Sequence, residues 1–387
     1  MKIVYTAPNR GHHYLYAGAL NTAGNLHAFI SGFPRISPRA KAPDLMGKLF
    51  SADILQTLYV LSLKMKLPDR ICTFLAFLSK IEQDLACRKF VKNCDVFLYY
   101  SGSGLFSSRY GKKRSVINIV EAVNSHVEYQ EELLENEFLK LKLPWKPFLS
   151  IEKKRRLQEY KEADYILLPS EFVKRSFIEK GFPAEKLIKI PYGFNKLDNS
   201  RSKRDARSES FTVLYVGTIS VRKGVRYLIE AFKQLNCPQK QLIIVGPDAN
   251  DGAINGLDLT PNIVFTGVLK GEKLKDAYRS ADVFCLPSIE EGLALVLGEA
   301  LSYGLPVIAT CNTGAEDVIV DGNEGYIVPI RDSEVIREKL QMLIDNRELL
   351  NNLRTNTIAR LENLNGWEEA GKELISNLYQ VFCRNNR

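Results

Sequence analysis

The stretch ADVFCLPSIEEGLALVLGEALSYGLPVIATCNTGAEDVIVDGNEGYIVP, residues 281–329, decides the fold class. It opens on a short apolar run with a polar exit, the pattern of a buried strand. Leu297, Ala300 and Leu301 then recur at helical spacing, which predicts a helix over 295–303. Gly304-Leu305-Pro306 stops that helix. Val307–Thr310 is β-branched and apolar, as a central parallel strand should be. The junction at 291–294 joins strand to helix, so its backbone amides are expected to be free and to face the carboxyl end of the sheet. Doubly wound folds bind ligands there, and amides at a helix start favour an anion such as a sugar diphosphate. Glu291 alone reads equally as a carboxylate complementing the helix dipole, and Glu299 alone as a solvated helix residue. Gly292, just after Glu291, would let backbone approach a ligand closely.

The chain has 387 residues, which at ~150 residues per domain predicts two domains. Hydrophobic residues make up 45% and the mean hydropathy is -0.15, the values of an ordinary globular protein. The 7 cysteines are odd in number and scattered, with no C-x-x-C and no metal-ligand cluster, so a reduced, cytoplasmic compartment is expected. The opening MKIVYTAP reads as a strand rather than a leader peptide. No apolar run approaches the ~18 residues of a membrane span, which leaves peripheral contact as the only membrane association expected. Charge is divided unequally: residues 1–193 carry 30 Lys and Arg against 19 Asp and Glu, the remainder 23 against 26. The basic first half points to an anionic surface or substrate, or simply to a well-solvated face. A nucleic-acid partner is not expected.

Residues 1–8 read as the first strand, followed by a loop with Gly11, His12 and His13 and a helix from Tyr14. Two adjacent histidines at a strand exit are candidate functional residues. Residues 51–92 alternate apolar clusters with Lys and Arg and predict amphipathic helices, facing either the core or an anionic lipid surface. Strands are expected at 94–102, 115–120 and 188–193, with a helix, strand and helix over 150–180 in which Ser170 is an N-cap. Residues 194–210 are polar and charged and read as a linker or hinge between domains at 1–193 and 211–367. At 217–224 a strand ends at Gly217 and the loop carries Arg222 and Lys223. An Arg fork and a Lys point charge together suit a diphosphate.

The pair Glu291 and Glu299, with ADVFCLPS before it and A-x3-G-x-P-V-I-A-T after it, resembles the retaining glycosyltransferases of family four, the group 1 glycosyl transferases. The segment S-H-x3-Q-x2-L-L at 125–134 and G-T-x3-R-K-G at 217–224 are similar to further family motifs. The resemblance implies an α/β GT-B fold, two Rossmann-like doubly wound domains facing each other across a cleft. The first would bind acceptor and be completed by a C-terminal helix, 368–387; the second would bind the nucleotide-sugar donor. It places Glu291 beside the donor sugar and Glu299 on its ribose. Arg222 and Lys223 would neutralise the leaving diphosphate, Val268 would meet the base through its backbone, and Gly217, Thr218, Gly292, Leu293 and Ala294 would complete the donor site. His126 would lie in the cleft by the reacting sugar, with Gly11 and His12 on the acceptor side. The implied catalytic set is His126, Glu291, Arg222 and Lys223.

Hexosyl transfer with retention, no metal and no cofactor are implied, with a UDP- or GDP-linked donor and a sugar or lipid-linked acceptor. Cell-surface polysaccharide or glycolipid synthesis is the corresponding process, in the cytoplasm or peripherally at the inner face of the membrane. The chain departs from the pattern at Thr218, where many members have Arg, and at Ala122-Val123-Asn124. Two alternatives stay open: a non-catalytic nucleotide-sugar-binding protein, and a nucleotide-sugar epimerase of the same fold.

Overall fold

The computed structural model describes residues 1–195 and 210–385. In the first part, strands β1 (Ile3–Ala7), β2 (Leu26–Ser31), β3 (Leu49–Ser51), β4 (Val96–Tyr100), β5 (Ile117–Glu121), β6 (Tyr165–Leu168) and β7 (Leu187–Lys189) form one parallel sheet. Its order is β3-β2-β1-β4-β5-β6-β7. Helices α1 (His13–Thr22), α2 (Ile54–Lys64), α3 (Asp69–Val91), α4 (Leu105–Lys112), α5 (Val127–Lys140), α6 (Ser150–Glu162) and α7 (Glu171–Glu179) accompany it. The central strands are buried along their whole length because helices cover both faces, which is why they read as unbroken apolar runs.

The second part repeats the plan. Strands β8 (Phe211–Val216), β9 (Lys240–Val245), β10 (Ile263–Gly267), β11 (Val283–Leu286), β12 (Val307–Thr310) and β13 (Gly325–Val328) pair in parallel in the order β10-β9-β8-β11-β12-β13. Helices α8 (Val225–Lys233), α9 (Glu272–Ser280), α10 (Leu295–Ser302), α11 (Ser333–Asp345) and α12 (Arg347–Asn363) complete it, and α13 (Trp367–Asn385) crosses back to the first part. Two Rossmann-like domains of the GT-B type result. In each, strand order reverses at the first strand, β1 or β8, so the crevice between that strand and its crossover neighbour lies at a switch point. The loops after β1, β5, β8 and β11 meet from opposite sides at that place.

Buried carboxylates tie the two domains. Glu137 of α5 accepts from Tyr227 Oη at 2.7 Å and from Arg331 Nε at 2.5 Å. Asp317 accepts from the Glu171 amide and from Lys189 Nζ, both at 2.7 Å. Ser170 caps α7 as its sequence position predicts, receiving the Val173 amide at 3.3 Å. Its hydroxyl also donates across to the Gly292 carbonyl at 2.7 Å.

The first residue of the expected linker is part of the packed structure. Phe194, which opens the polar stretch, is buried, and its amide donates to Asn365 O at 3.0 Å. Gly298 leaves room for it, since a Cβ there would stand 1.9 Å from the Phe194 ring. The rest of the expected linker, residues 196–209, lies outside the described residues. Helix α13 packs on α1, with Gly371 against Ala19 and Tyr379 Oη donating to Asn25 Oδ1 at 3.0 Å.

Gly246 ends β9 at φ +144, and a Cβ there would stand 1.9 Å from the carbonyl oxygen of Gly217, the first residue of the loop after β8. Gly246→Ala combines that clash with backbone strain and should cost on the order of 3 kcal/mol. A urea midpoint unchanged from the parent would refute the close approach.

Candidate functional site

The loop leaving β1 turns at Gly11 (φ +28) and delivers His12 and His13 to the start of α1. Both are buried. His12 Nε2 lies 2.6 Å from Glu121 Oε1 at the end of β5. Tyr5 Oη donates to Glu121 Oε2 at 2.8 Å and lies 2.6 Å from His13 Nδ1. Tyr192 stacks on His12 with ring centroids 4.1 Å apart. Burial, helped by the neighbouring His13, lowers the His12 pKa to about 4 against the pull of Glu121. His12 is therefore neutral at pH 7, and its Nδ1, with no partner among the described residues, suits a hydroxyl. Burial disfavours the Glu121 charge, but the two imidazoles and their hydrogen bonds outweigh it and hold its pKa below the usual range.

No spacing in the sequence announces a metal site, yet the fold places ligand atoms of His12, His13 and Glu121 within 4.8 Å of one another. That set could hold a cation. In the arrangement present its members bond to one another and to Tyr5 instead.

The facing wall comes from the loops after β8 and β11. Gly224 precedes α8 in the left-handed region at φ +61, and a Cβ there would meet the Pro287 carbonyl. That packing sets Arg222 and Lys223 beside the acidic pair Glu290 and Glu291. The Arg222 carbonyl accepts the Ile289 amide at 2.9 Å, and its guanidinium donates to the Glu290 carbonyl at 3.0 Å. Lys223 Nζ forms an ion pair with Glu291 Oε2, which Arg222 approaches at 3.6 Å. Burial, then the charge of Arg222, lowers the Lys223 pKa to about 7.

The expectation of four free amides at 291–294 needs correcting. The Glu291 amide donates to Asn312 O at 2.9 Å and that of Ala294 to Thr313 O at 3.1 Å. Those of Gly292 and Leu293 have no partner among the described residues. Gly292 is needed here for a protein contact: a Cβ there would stand 1.7 Å from the carbonyl oxygen of Val123 in the other domain.

A cavity of about 310 Å³ brings Gly11, His12 and His13 together with Glu291, Gly292 and Leu293. Arg222 lines a neighbouring cavity of about 620 Å³. Glu299 lines another, of about 340 Å³, at the hinge; it accepts from Tyr278 Oη at 2.9 Å, and burial raises its pKa. Val268 is exposed beyond β10. The Thr218 carbonyl accepts from Tyr215 Oη at 2.7 Å, and Gly217 lies against that same phenol.

His126 does not reach the cleft, which corrects its expected place there. It is the N-cap of α5, its Nδ1 receiving the Glu128 amide at 3.3 Å. Its ring is enclosed by Tyr160, Phe177 and Phe182 at 5.1 to 5.5 Å between centroids, and its Nε2 is buried with no partner among the described residues. Burial, then the charge of Lys180, lowers its pKa to about 4.

Two residues that sequence reasoning passed over are central. Glu121 is an acid closing a strand that is buried along its whole length. Glu290, beside the singled-out Glu291, is fully buried. It accepts from the Ser125 amide at 3.1 Å, and from Ser125 Oγ and Gln130 Nε2 at 2.8 Å each. Arg222 approaches its carboxylate at 3.5 Å.

Residues 197–360 match the family described as glycosyl transferases group 1. The chain is 31% identical over 202 residues to a sulfoquinovosyl transferase of Arabidopsis thaliana, a match covering 49% of this chain and 39% of that protein. It is 29% identical over 245 residues to a capsular polysaccharide biosynthesis glycosyltransferase of Staphylococcus aureus, covering 57% and 63%. The matched segments thus span about two fifths to three fifths of these relatives. The structure of an Anabaena protein, HepE, crystallised with UDP, superposes with a TM-score of 0.68 at 16% identity, over 98% of this chain and 100% of that one. This last likeness supports the fold.

The buried histidine gives a pH prediction. Folded His126 stays neutral down to about pH 4, while the unfolded chain takes up a proton from about pH 6.5. Stability is therefore lost as pH falls through that window. His126→Phe removes one such proton, so its unfolding free energy should fall less steeply there, by up to about 1.4 kcal/mol per pH unit. Equal slopes in urea titrations of parent and variant would return His126 to a solvated cleft position.

Proposed function

We propose that this chain, a member of the glycosyl transferases group 1 family, moves a hexosyl unit from a nucleotide-sugar donor to a sugar or lipid-linked acceptor, with retention of anomeric configuration and without a metal. The observation that carries the reading is the juxtaposition of two cations, Arg222 and Lys223, with Glu291 on one wall and a neutral His12 on the other. A departing nucleoside diphosphate needs cations placed before it leaves, and preorganised charge is the largest catalytic term such a site supplies.

In this scheme the donor diphosphate lies against Arg222, Lys223 and the Gly292 and Leu293 amides. It displaces Glu291 from Lys223 and frees that carboxylate to hold the donor sugar. Glu299 receives the ribose, the backbone at Val268 meets the base, and Gly217 and Thr218 shape the diphosphate loop. Gly11 and His12 orient the acceptor hydroxyl, with Glu121 fixing the imidazole. His126 takes no direct part, its role being to cap α5. The donor in this reading is linked to UDP or GDP and the product is cell-surface polysaccharide or glycolipid; the Anabaena neighbour was crystallised with UDP, and the Staphylococcus aureus relative belongs to capsular polysaccharide biosynthesis.

A thermal-shift screen with UDP, GDP, ADP and their sugar conjugates, with and without Mg2+, tests this. A nucleotide at 100 times its Kd adds ~2.7 kcal/mol of stability, and the shift should be metal-independent and absent in R222A/K223A. No shift with any nucleotide would sink the reading.

Lys223 adds a linkage. Free Lys223 loses its proton as pH passes about 7, whereas a bound diphosphate keeps it charged. Nucleotide affinity should then fall by up to about tenfold per pH unit above pH 7, with proton uptake in calorimetry. Lys223→Arg, always charged, should flatten that dependence, and an equally steep fall in this variant would show that another group titrates.

A further inference from the structure

Helix α2 carries an apolar stripe at helical spacing that faces away from the protein. Ile54, Leu58, Leu61 and Met65 are all exposed, Met65 at 70%. The last turn of α2 adds Leu63, the turn into α3 adds Leu67, and the first turns of α3 add Ile71 and Phe74, the last at 52% exposure. Lys64 and Lys66 alternate with Leu63, Met65 and Leu67, and Arg70 adjoins Ile71. The acid of this turn, Asp69, is taken by Lys146. No ion pair among the described residues includes Lys64, Lys66 or Arg70.

We propose that the tip of the α2–α3 hairpin is a membrane-docking surface that seats on an anionic lipid bilayer. Three features select that occupant. A large exposed apolar patch marks an interaction site, but lysine at alternate positions is depleted from protein–protein interface cores. In a bilayer the same lysines extend to the headgroups while the apolar side chains enter the acyl boundary. A second copy of this chain on the tip would bring unpaired Lys64, Lys66 and Arg70 against their own kind. Finally, no described helix is long and apolar enough to cross a membrane, so docking from one side is the mode that the tip supports.

The tip also leads to the site. The cavity of about 620 Å³ runs from Leu63 and Cys72 at the hairpin, past Phe148, Lys153 and Arg156, to Arg222. An amphiphile could keep its chain at the hairpin, set an anionic link beside Lys153 and Arg156, and present its sugar to the cleft. This deepens the transferase reading, on which the use of the groove rests, and assigns the acceptor class as lipid-linked.

Cosedimentation of the full chain with vesicles of phosphatidylcholine containing 30 mol% phosphatidylglycerol, against phosphatidylcholine alone, tests the docking. At least about tenfold stronger binding to the anionic vesicles is expected. M65D/L67D and K64E/K66E, all at exposed positions, should each lose that binding by a similar factor. Their nucleotide thermal shifts should match the parent, so a failed donor reading and a failed docking surface give separate signatures. Three results would overturn the proposal. The parent could stay in the supernatant with anionic vesicles, the variants could pellet as the parent does, or a solution dimer could be lost in M65D/L67D, which gives the face to a second copy.

Discussion

The carboxylate of Glu290 is the constraint on which the rest depends. It is fully buried at the junction of the two domains, accepts three hydrogen bonds from Ser125 and Gln130 of the first, and faces Arg222 of the second. A buried charge is tolerated only when its lone pairs are met by donors and an opposite charge. Here the donors come from the first domain and the cation from the second, so one carboxylate joins the two. Arg222 and Glu290 are thereby held together at the domain junction by the fold itself.

The same region neutralises itself when empty. Two cations face two carboxylates, with Lys223 on Glu291 and Arg222 shared between Glu290 and Glu291. In the proposed scheme an anionic donor enters by exchange of counter-ions, competing with Glu291 for Lys223 while Glu290 keeps Arg222 in position. Burial has already weakened the hold of Lys223 on its proton, and a neighbouring anion favours its charged form.

Much of this architecture was legible in residue order, and the remainder was not, for physical reasons. The strands at 283–286 and 307–310 and the helix between them follow from apolar runs and helical spacing, both local signals. The Ser170 cap was equally local. Glu121 and His12 stand 109 positions apart and meet only because β1 and β5 flank β4, a juxtaposition no spacing rule contains. His126 was misplaced because the rings that enclose it, Phe177 and Phe182, arrive from α7 and the turn after it. The amides at 291 and 294 were taken as free because their acceptors, Asn312 and Thr313, belong to the next crossover. Helix α2 has a clear apolar stripe, but spacing alone does not tell which side of that stripe meets the protein.

Gly292 meets the Val123 carbonyl through backbone alone. A junction made of main chain carries no information about side chains, so one partner can drift in sequence while the other is held to a single residue type. Ala122-Val123-Asn124 is where this chain leaves the pattern it otherwise resembles. The contact itself uses only main-chain atoms of Val123 and Asn124, while Ala122 is buried and Val123 and Asn124 also line the cleft cavity. A substitution at 123 that leaves its main chain in place therefore leaves the joint intact.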